Sequence, residues 1–397
     1  MVIKLVKFLP VFIMLLIFPA NECATTQELE VKVGAARTEV YIPKLVGKNV
    51  GLVANQTSLI NNTHVVDSLL NLGINIMKIF SPEHGYKGKA DAGETYSDSV
   101  LSKKNIEIIS LYGNKKKPTP GDLTGIDILI FDIQDVGARF YTYISTLHYI
   151  MEACAENNIP LLVLDRPNPN GHYVDGPVLD LKFKSFVGMH TIPIVYGMTI
   201  AEYAKMINGE KWLNDSVSCR LNIVTCEDYK HSYHYIMPVA PSPNLRNMEA
   251  IYLYPSLCLF EGTIMNEGRG TDFPFQVYGH PDFQDKDFQY IPGSNPGATN
   301  PKCKNMLCYG VDLRDKNIET LQSEGEINMS YIITAYNKMN TGKDFFNSYF
   351  DLLAGNNILK AQIINGLNEE QIRNSWQKDL LYFKKIRKKY LLYPDFE

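Results

Sequence analysis

The chain has 397 residues, with 39 Lys and Arg against 43 Asp and Glu, a formal charge of −4 and a hydrophobic content of 45%. That length has room for two domains of ordinary size. A mildly acidic chain without a basic stripe argues against nucleic acid as a partner.

At the start, Lys4 and Lys7 precede an apolar run from Phe8 to Phe18, followed by Ala20 and Asn21. The run is short for a bilayer span, and the pattern reads as a signal peptide over residues 1–22, removed in the mature protein. Cys23 sits where a lipoprotein carries its acylated cysteine, but Ala20-Asn21-Glu22 is a poor lipobox, so anchoring there is the secondary expectation. No later stretch is apolar for long enough to span, so a secreted or periplasmic chain without a stable membrane span is expected.

Four strand-like runs follow, each ending in a polar loop: Asn49–Ala54, Asn75–Phe80, Ile126–Asp132 and Pro160–Asp165. Between them His64–Leu72 and Thr142–Glu156 carry apolar residues at helical spacing. Continuously apolar strands alternating with amphipathic helices indicate an α/β fold, a parallel sheet covered on both faces. Ligands of such sheets bind beyond the carboxyl ends of the strands, where the four loops are expected to converge. A further helix is predicted after Met198, with Thr199 as its cap. The proline-rich segment 237–247 reads as a domain junction, and a helix is predicted over Glu369–Tyr393, with KKIRKKY as a solvated face.

NVGLVANQTS lacks the glycine fingerprint of a dinucleotide site, no Walker A motif is present, and no His/Cys cluster has zinc spacing. Neither cofactor nor metal is expected. Cys154 and Cys258 read as buried thiols, whereas Cys219/Cys226 and Cys303/Cys308 are candidate disulfides in an oxidising compartment.

Glu83 is the leading candidate for chemistry. Pro82-Glu83-His84-Gly85 follows a buried strand, and Gly85 and Gly88 let the backbone bend around it. A carboxyl at such a position can be partly desolvated, which suits general-acid work. Glu261 and Glu267 lie in FEGTIMNEGRGT after an apolar run read as a strand; hydrolysis of a glycosidic bond usually needs two carboxyl groups. Pairing of one of them with Arg269 is the structural alternative. Binding roles are expected for Asn55, Gln56 and His84, and for Asp135, Arg139, Tyr141 and Tyr143 in one loop. Arg139 offers a bidentate carboxylate clamp and the tyrosines offer stacking faces for sugars. Asp165, Asn168 and Asn170 supply mixed donors and acceptors for hydroxyls.

At these same positions LVANQTS, FSPEHGYKG, LIFDIQDVGARFYTYISTL, LLVLDRPNPNG, APSPN, LFEGT, NEGRGT and FKKIRKKYLLY occur in order. Together they closely resemble the NamZ (YbbC-like) exo-β-N-acetylmuramidases, formerly a domain of unknown function, from about residue 34 onward. The resemblance implies a Rossmann-like catalytic domain over 34–247 and a smaller α+β auxiliary domain over 248–397 that closes the cleft. It implies release of N-acetylmuramic acid from non-reducing ends of peptidoglycan-derived saccharides or muropeptides, with the SPEHG glutamate, Glu83, as leading catalytic residue. Arg139 or Arg269 would clamp the lactyl carboxylate. The 2-acetamido group can itself serve as nucleophile in glycosidases, so a second catalytic carboxylate is not required. A cell-wall protein that binds muropeptides without cleaving them is the alternative.

Overall fold

A computed structural model describes residues 31–87 and 106–397. The signal-peptide expectation, Cys23 and Gly88 lie outside these residues. Six strands, β1 (Asn49–Ala54), β2 (Asn75–Ser81), β3 (Glu107–Ser110), β4 (Ile128–Asp132), β5 (Leu161–Leu164) and β6 (Leu221–Val224), pair in parallel in the order β3-β2-β1-β4-β5-β6. Side chains alternate across a strand. Leu129 and Phe131 therefore enter one hydrophobic cluster while Ile128 and Ile130 enter another, on the opposite face. Both faces are covered, which is why these strands read as unbroken apolar runs.

The helix α1 (Val65–Asn71) supplies Val65, Val66 and Leu69 to one cluster. On the other face α2 (Tyr143–Glu156) supplies Ile144, Leu147, Ile150 and Met151, beside α3 (Ile200–Gly209). Thr199 and Glu202 form a reciprocal capping box at the start of α3, which satisfies two backbone donors that would otherwise be orphaned. Strand order reverses between β1 and β4, which stay paired to their last residues, Ala54 and Asp132, so the connections leaving them run to opposite sides.

Asn247 caps the next helix, α4 (Met248–Leu257), which runs on into a 3-10 turn over Cys258–Gly262. The apolar run ahead of Glu261 is thus helical, and the strand expected there does not form. An antiparallel sheet follows, β7 (Val277–His280), β8 (Phe288–Tyr290) and β9 (Cys308–Asp312), in the order β8-β9-β7. Helices then dominate, including α5 (Tyr349–Ala354) and α6 (Glu369–Arg387). One hydrophobic cluster runs from Val53 of β1 to Phe383 of α6, so the N-terminal sheet and the C-terminal elements share a core.

The basic end of α6 is not wholly solvated. Arg387 is fully buried, donates to the Gly197 carbonyl through Nε (2.8 Å) and Nη2 (2.6 Å), and pairs with Asp395. The segment after it returns to the sheet: the Leu392 amide donates to Glu202 (2.7 Å), and the Tyr393 hydroxyl to Asp165 (2.5 Å). The six described cysteines are free thiols. Cys219 meets Cys154 and Cys303 meets Cys308, while the Cys226 thiol donates to the Asp165 carbonyl. Neither suggested disulfide, Cys219/Cys226 or Cys303/Cys308, is formed.

Candidate active site

A cleft of about 790 Å³ opens where the β2 and β4 loops meet the C-terminal elements. The β2 loop contributes Glu83 and His84, and the β4 loop contributes the stretch from Phe140 to Tyr143. From the other side come Tyr254 of α4, Glu261, Arg269, Phe275, the stretch from Gly297 to Pro301, and Tyr349 and Leu352 of α5. Asn55–Thr57 after β1 and the segment 166–171 directly after β5 do not line it, although Ser185, Phe186 and Val187, further along the connection from β5, do. Of the four polar stretches expected to converge, those after β2 and β4 do so.

Glu83 is half-buried in a tight turn closed by the Gly85 amide donating to the Pro82 carbonyl (3.0 Å). His84 and Gly85 both adopt left-handed backbone, φ 67° and 72°, a conformation that costs glycine little and His84 more. The turn presents Glu83 to the cleft, where the Thr142 hydroxyl donates to Oε2 at 2.8 Å. The Tyr112 hydroxyl lies against the same carboxyl. Burial, then the Glu83 charge and a hydrogen bond to it, push that hydroxyl up to about 12.

A second carboxylate stands on the C-terminal wall. Arg269 grips Glu261 Oε1 through Nε (3.0 Å) and Nη2 (2.6 Å). Behind it Glu267 is almost fully buried, 3.4 Å from Arg269 Nε and 2.8 Å from Lys302 Nζ. Burial disfavours the guanidinium charge, but Glu261 and Glu267 more than offset this and hold Arg269 charged. Two acids and two bases alternate here, so the patch is close to neutral and its charges cost less to desolvate. Among the described residues no partner takes the Nη1 side of Arg269.

Rings join the two walls. Tyr143 and Tyr141 pack edge to face at 4.7 Å, Tyr141 and Tyr254 at 6.0 Å, and Tyr254 and Phe275 at 4.9 Å, with Arg269 5.1 Å from the Phe275 ring centre. Such contacts stiffen a cleft floor and leave apolar faces on which sugar C–H groups can rest. Tyr349 feels both carboxylates: burial first, then Glu261 and Glu83 among its neighbours, raise its hydroxyl far above the ordinary tyrosine range.

Of the residues expected at the site, Glu83, His84, Tyr141, Tyr143, Glu261 and Arg269 line the cleft. The others are turned into the protein. Arg139 is fully buried and donates to the carbonyls of Pro177, Ile192 and Leu353, each at 2.8 Å. It clamps backbone, whereas Arg269 lines the cleft. Asn55 donates to the Tyr143 hydroxyl (2.9 Å), and Gln56 to the Pro241 carbonyl (2.8 Å). Asp135 accepts from the Tyr196 hydroxyl and the Gly137 amide, and burial raises its carboxyl to about 6. Asp165 accepts from Thr199 and Tyr393. Asn168 donates to the Met198 carbonyl and Asn170 to that of Val136. These polar residues shape the loops behind the cleft, and Glu267 supports Arg269 without facing it.

Sequence reasoning missed Thr142, which stands between the two tyrosines it singled out. It also missed Tyr112, Tyr349 and the Ser242–Asn244 wall, although APSPN had been noted as a motif. Among the described residues no group of three or more His, Cys, Asp or Glu side chains is placed to hold a metal ion, and no helix is long and apolar enough to cross a membrane.

Comparison with known proteins adds independent findings. Residues 50–249 match the family model for the N-terminal part of the exo-β-N-acetylmuramidase NamZ, and residues 252–393 that for its C-terminal part. The peptidoglycan β-N-acetylmuramidase NamZ of Bacillus subtilis (strain 168) is 39% identical over 378 residues, covering 89% of each chain. Two crystal structures of DUF1343 family proteins from Bacteroides fragilis NCTC 9343 share the fold. One has a TM-score of 0.86 at 46% identity, covering 92% of this chain and 100% of its own. The other has 0.75 at 29%, covering 91% and 99%.

Proposed function

The chain belongs to the NamZ family of exo-β-N-acetylmuramidases, and from that premise we infer that it is an exo-acting glycoside hydrolase that releases N-acetylmuramic acid from the non-reducing ends of peptidoglycan fragments. The match through both halves of the chain carries this reading, and the non-catalytic binding alternative is not favoured. Residues 34–247 act as the catalytic domain and 248–397 as the auxiliary domain that closes the cleft, a division supported by the origin of the lining residues on both sides. Glu83 serves as general acid, supported by its place in the cleft beside two hydroxyl groups. Arg269 meets the lactyl carboxylate with its Nη1 side. Glu261 orients Arg269. The mature protein works outside the cytoplasm, a reading supported by the basic and apolar N-terminal sequence and by a cell-wall substrate.

The test uses a disaccharide with N-acetylmuramic acid at the non-reducing end, and its N-acetylglucosamine counterpart. Free N-acetylmuramic acid should appear only from the first, with activity in the extracytoplasmic fraction of expressing cells and none there when residues 1–22 are deleted. Glu83→Gln should cut turnover by roughly 10²–10⁴-fold while the fold is retained. Cleavage of neither sugar would refute the assignment, and equal cleavage of both would refute lactyl recognition. Unchanged extracytoplasmic activity after the deletion would refute the export reading.

A further inference from the structure

Helix α2 begins without a side-chain cap. Thr142 stands at its N-cap position, with φ −73° and ψ 1°, yet its side chain makes no capping hydrogen bond. A threonine there normally accepts a backbone amide of the first turn, worth roughly tenfold in helix stability. The backbone here is not in the extended conformation of a side-chain cap, although the Thr142 carbonyl accepts the amides of Ser145 and Thr146, both at 3.0 Å. The hydroxyl instead turns away and donates to Glu83 Oε2 at 2.8 Å. The hydroxyl is thus left unused by the helix and is committed to the carboxyl that lines the cleft.

We propose that Thr142 is a positioning residue for the general acid: its hydroxyl keeps Glu83 Oε2 as an acceptor, so that the transferable proton sits on Oε1. This rests on the reading of Glu83 as the acid. A carboxylic acid carries one proton on two oxygens, and only one of them can face the leaving oxygen of a bound glycoside. A donor on Oε2 makes that oxygen the poorer site for the acid's own proton and so favours Oε1. In the step itself the Oε1 proton passes to the glycosidic oxygen as the C–O bond breaks. The leaving sugar departs as an alcohol, and Glu83 remains as a carboxylate still held by Thr142.

Several groups share this environment. The hydroxyls of Tyr112, Tyr141, Tyr143 and Tyr349 all feel the Glu83 charge and are all raised, burial being the first cause of each, so they stay neutral across the working range. The Glu261–Arg269 pair lines the same cleft, and His84 is next in the chain. Thr142 has no charge of its own. Its removal therefore changes what Glu83 accepts without adding or deleting a charge.

The experiment compares Thr142→Val, Thr142→Ala and Thr142→Ser on the natural disaccharide and on an activated aryl muramide. Loss of the hydroxyl should lower kcat roughly tenfold on the disaccharide with KM little changed. The loss should be much smaller on the aryl substrate, whose leaving group needs little protonation. A donor to the ionised carboxyl favours ionisation, so without it the basic limb of the pH profile should move to higher pH. Thr142→Ser should recover most of the lost turnover and restore the limb. Thermal midpoints establish that each variant folds, and the alanine variant carries the test if the valine variant does not fold. Equal losses on both substrates, an unmoved basic limb, or a serine variant no better than valine would each overturn the proposal. If Glu83→Gln is inactive while Thr142→Val is not impaired, this inference fails alone. If Glu83→Gln retains turnover, the general-acid reading fails and takes this inference with it.

Discussion

Replacing Arg139 with Met tests whether this arginine serves the ligand or the fold. Its guanidinium is fully buried and faces three backbone carbonyls, with no carboxylate among them. In the variant the Ile192 carbonyl keeps the Leu179 amide at 3.0 Å, whereas the carbonyls of Pro177 and Leu353 lose the guanidinium. Each buried acceptor left unpaired costs about 1–3 kcal/mol, about 2–6 kcal/mol for the two. An opposing term exists, because burial lowers the Arg139 guanidinium to about 9 and an apolar side chain escapes that penalty. The net loss should therefore fall in the lower half of the range, about 2–4 kcal/mol. At about 2 °C per kcal/mol for a chain of this size, Tm should drop by about 4–8 °C. The assay pairs calorimetry with kcat/KM, measured well below Tm, on substrates with and without the lactyl group. The ratio of the two kcat/KM values should stay within about twofold of the parent. An unchanged Tm together with a tenfold selective loss on the lactyl substrate would show that Arg139 reaches the ligand after all.

Arg269→Lys keeps a positive charge near Glu261 but loses the planar fork, so kcat/KM on muramic termini should fall roughly tenfold or more relative to glucosaminyl termini. Equal losses on both sugars would assign Arg269 to the support of Glu261 alone. Acidity offers a further check through Asp165, whose carboxyl is pushed up to about 7 by burial first, with Glu202 adding to it against the bonds from Tyr393, Thr199 and Ala201. Because the folded state holds this proton more tightly than the unfolded chain, the stability it contributes is fully present below about pH 4 and is lost as pH rises to about 7. Thermal midpoints should show this loss, and Asp165→Asn should flatten the slope over that window. Parallel slopes for parent and variant would contradict the assignment.

The sheet was legible because its inner strands are covered on both faces, so ILIFD and LLVL leave little room for another reading. The edge strands were not legible: EIIS and LNIV are four residues each and partly exposed, and their polar ends hide the period. The same limit explains the site. Glu83 could be found because it directly follows a buried strand, and the geometry of its turn is local. Arg139 was misplaced because an arginine in a polar loop reads alike whether it meets a ligand or the carbonyl of Leu353, more than two hundred positions away. Tyr349 and Leu352 reach the cleft only through the packing of α5 against the turn that carries Glu261, a contact without local pattern. Gly262 records that packing, since a Cβ there would come within 2.4 Å of the Phe350 backbone.

The return of the last segment onto the sheet bears on when the protein can fold. Translation supplies the strands first, but Asp165 at the end of β5 receives the Tyr393 hydroxyl, Glu202 the Leu392 amide and Gly197 the Arg387 side chain. Until residues 387–395 have left the ribosome, these buried acceptors lack those partners, and Phe383 and Trp376 of α6 are missing from the core. The N-terminal half is therefore a clasp without its pin for most of synthesis. A chain ending before Arg387 would keep its strands but leave the Gly197 carbonyl, Glu202 and Asp165 without these donors.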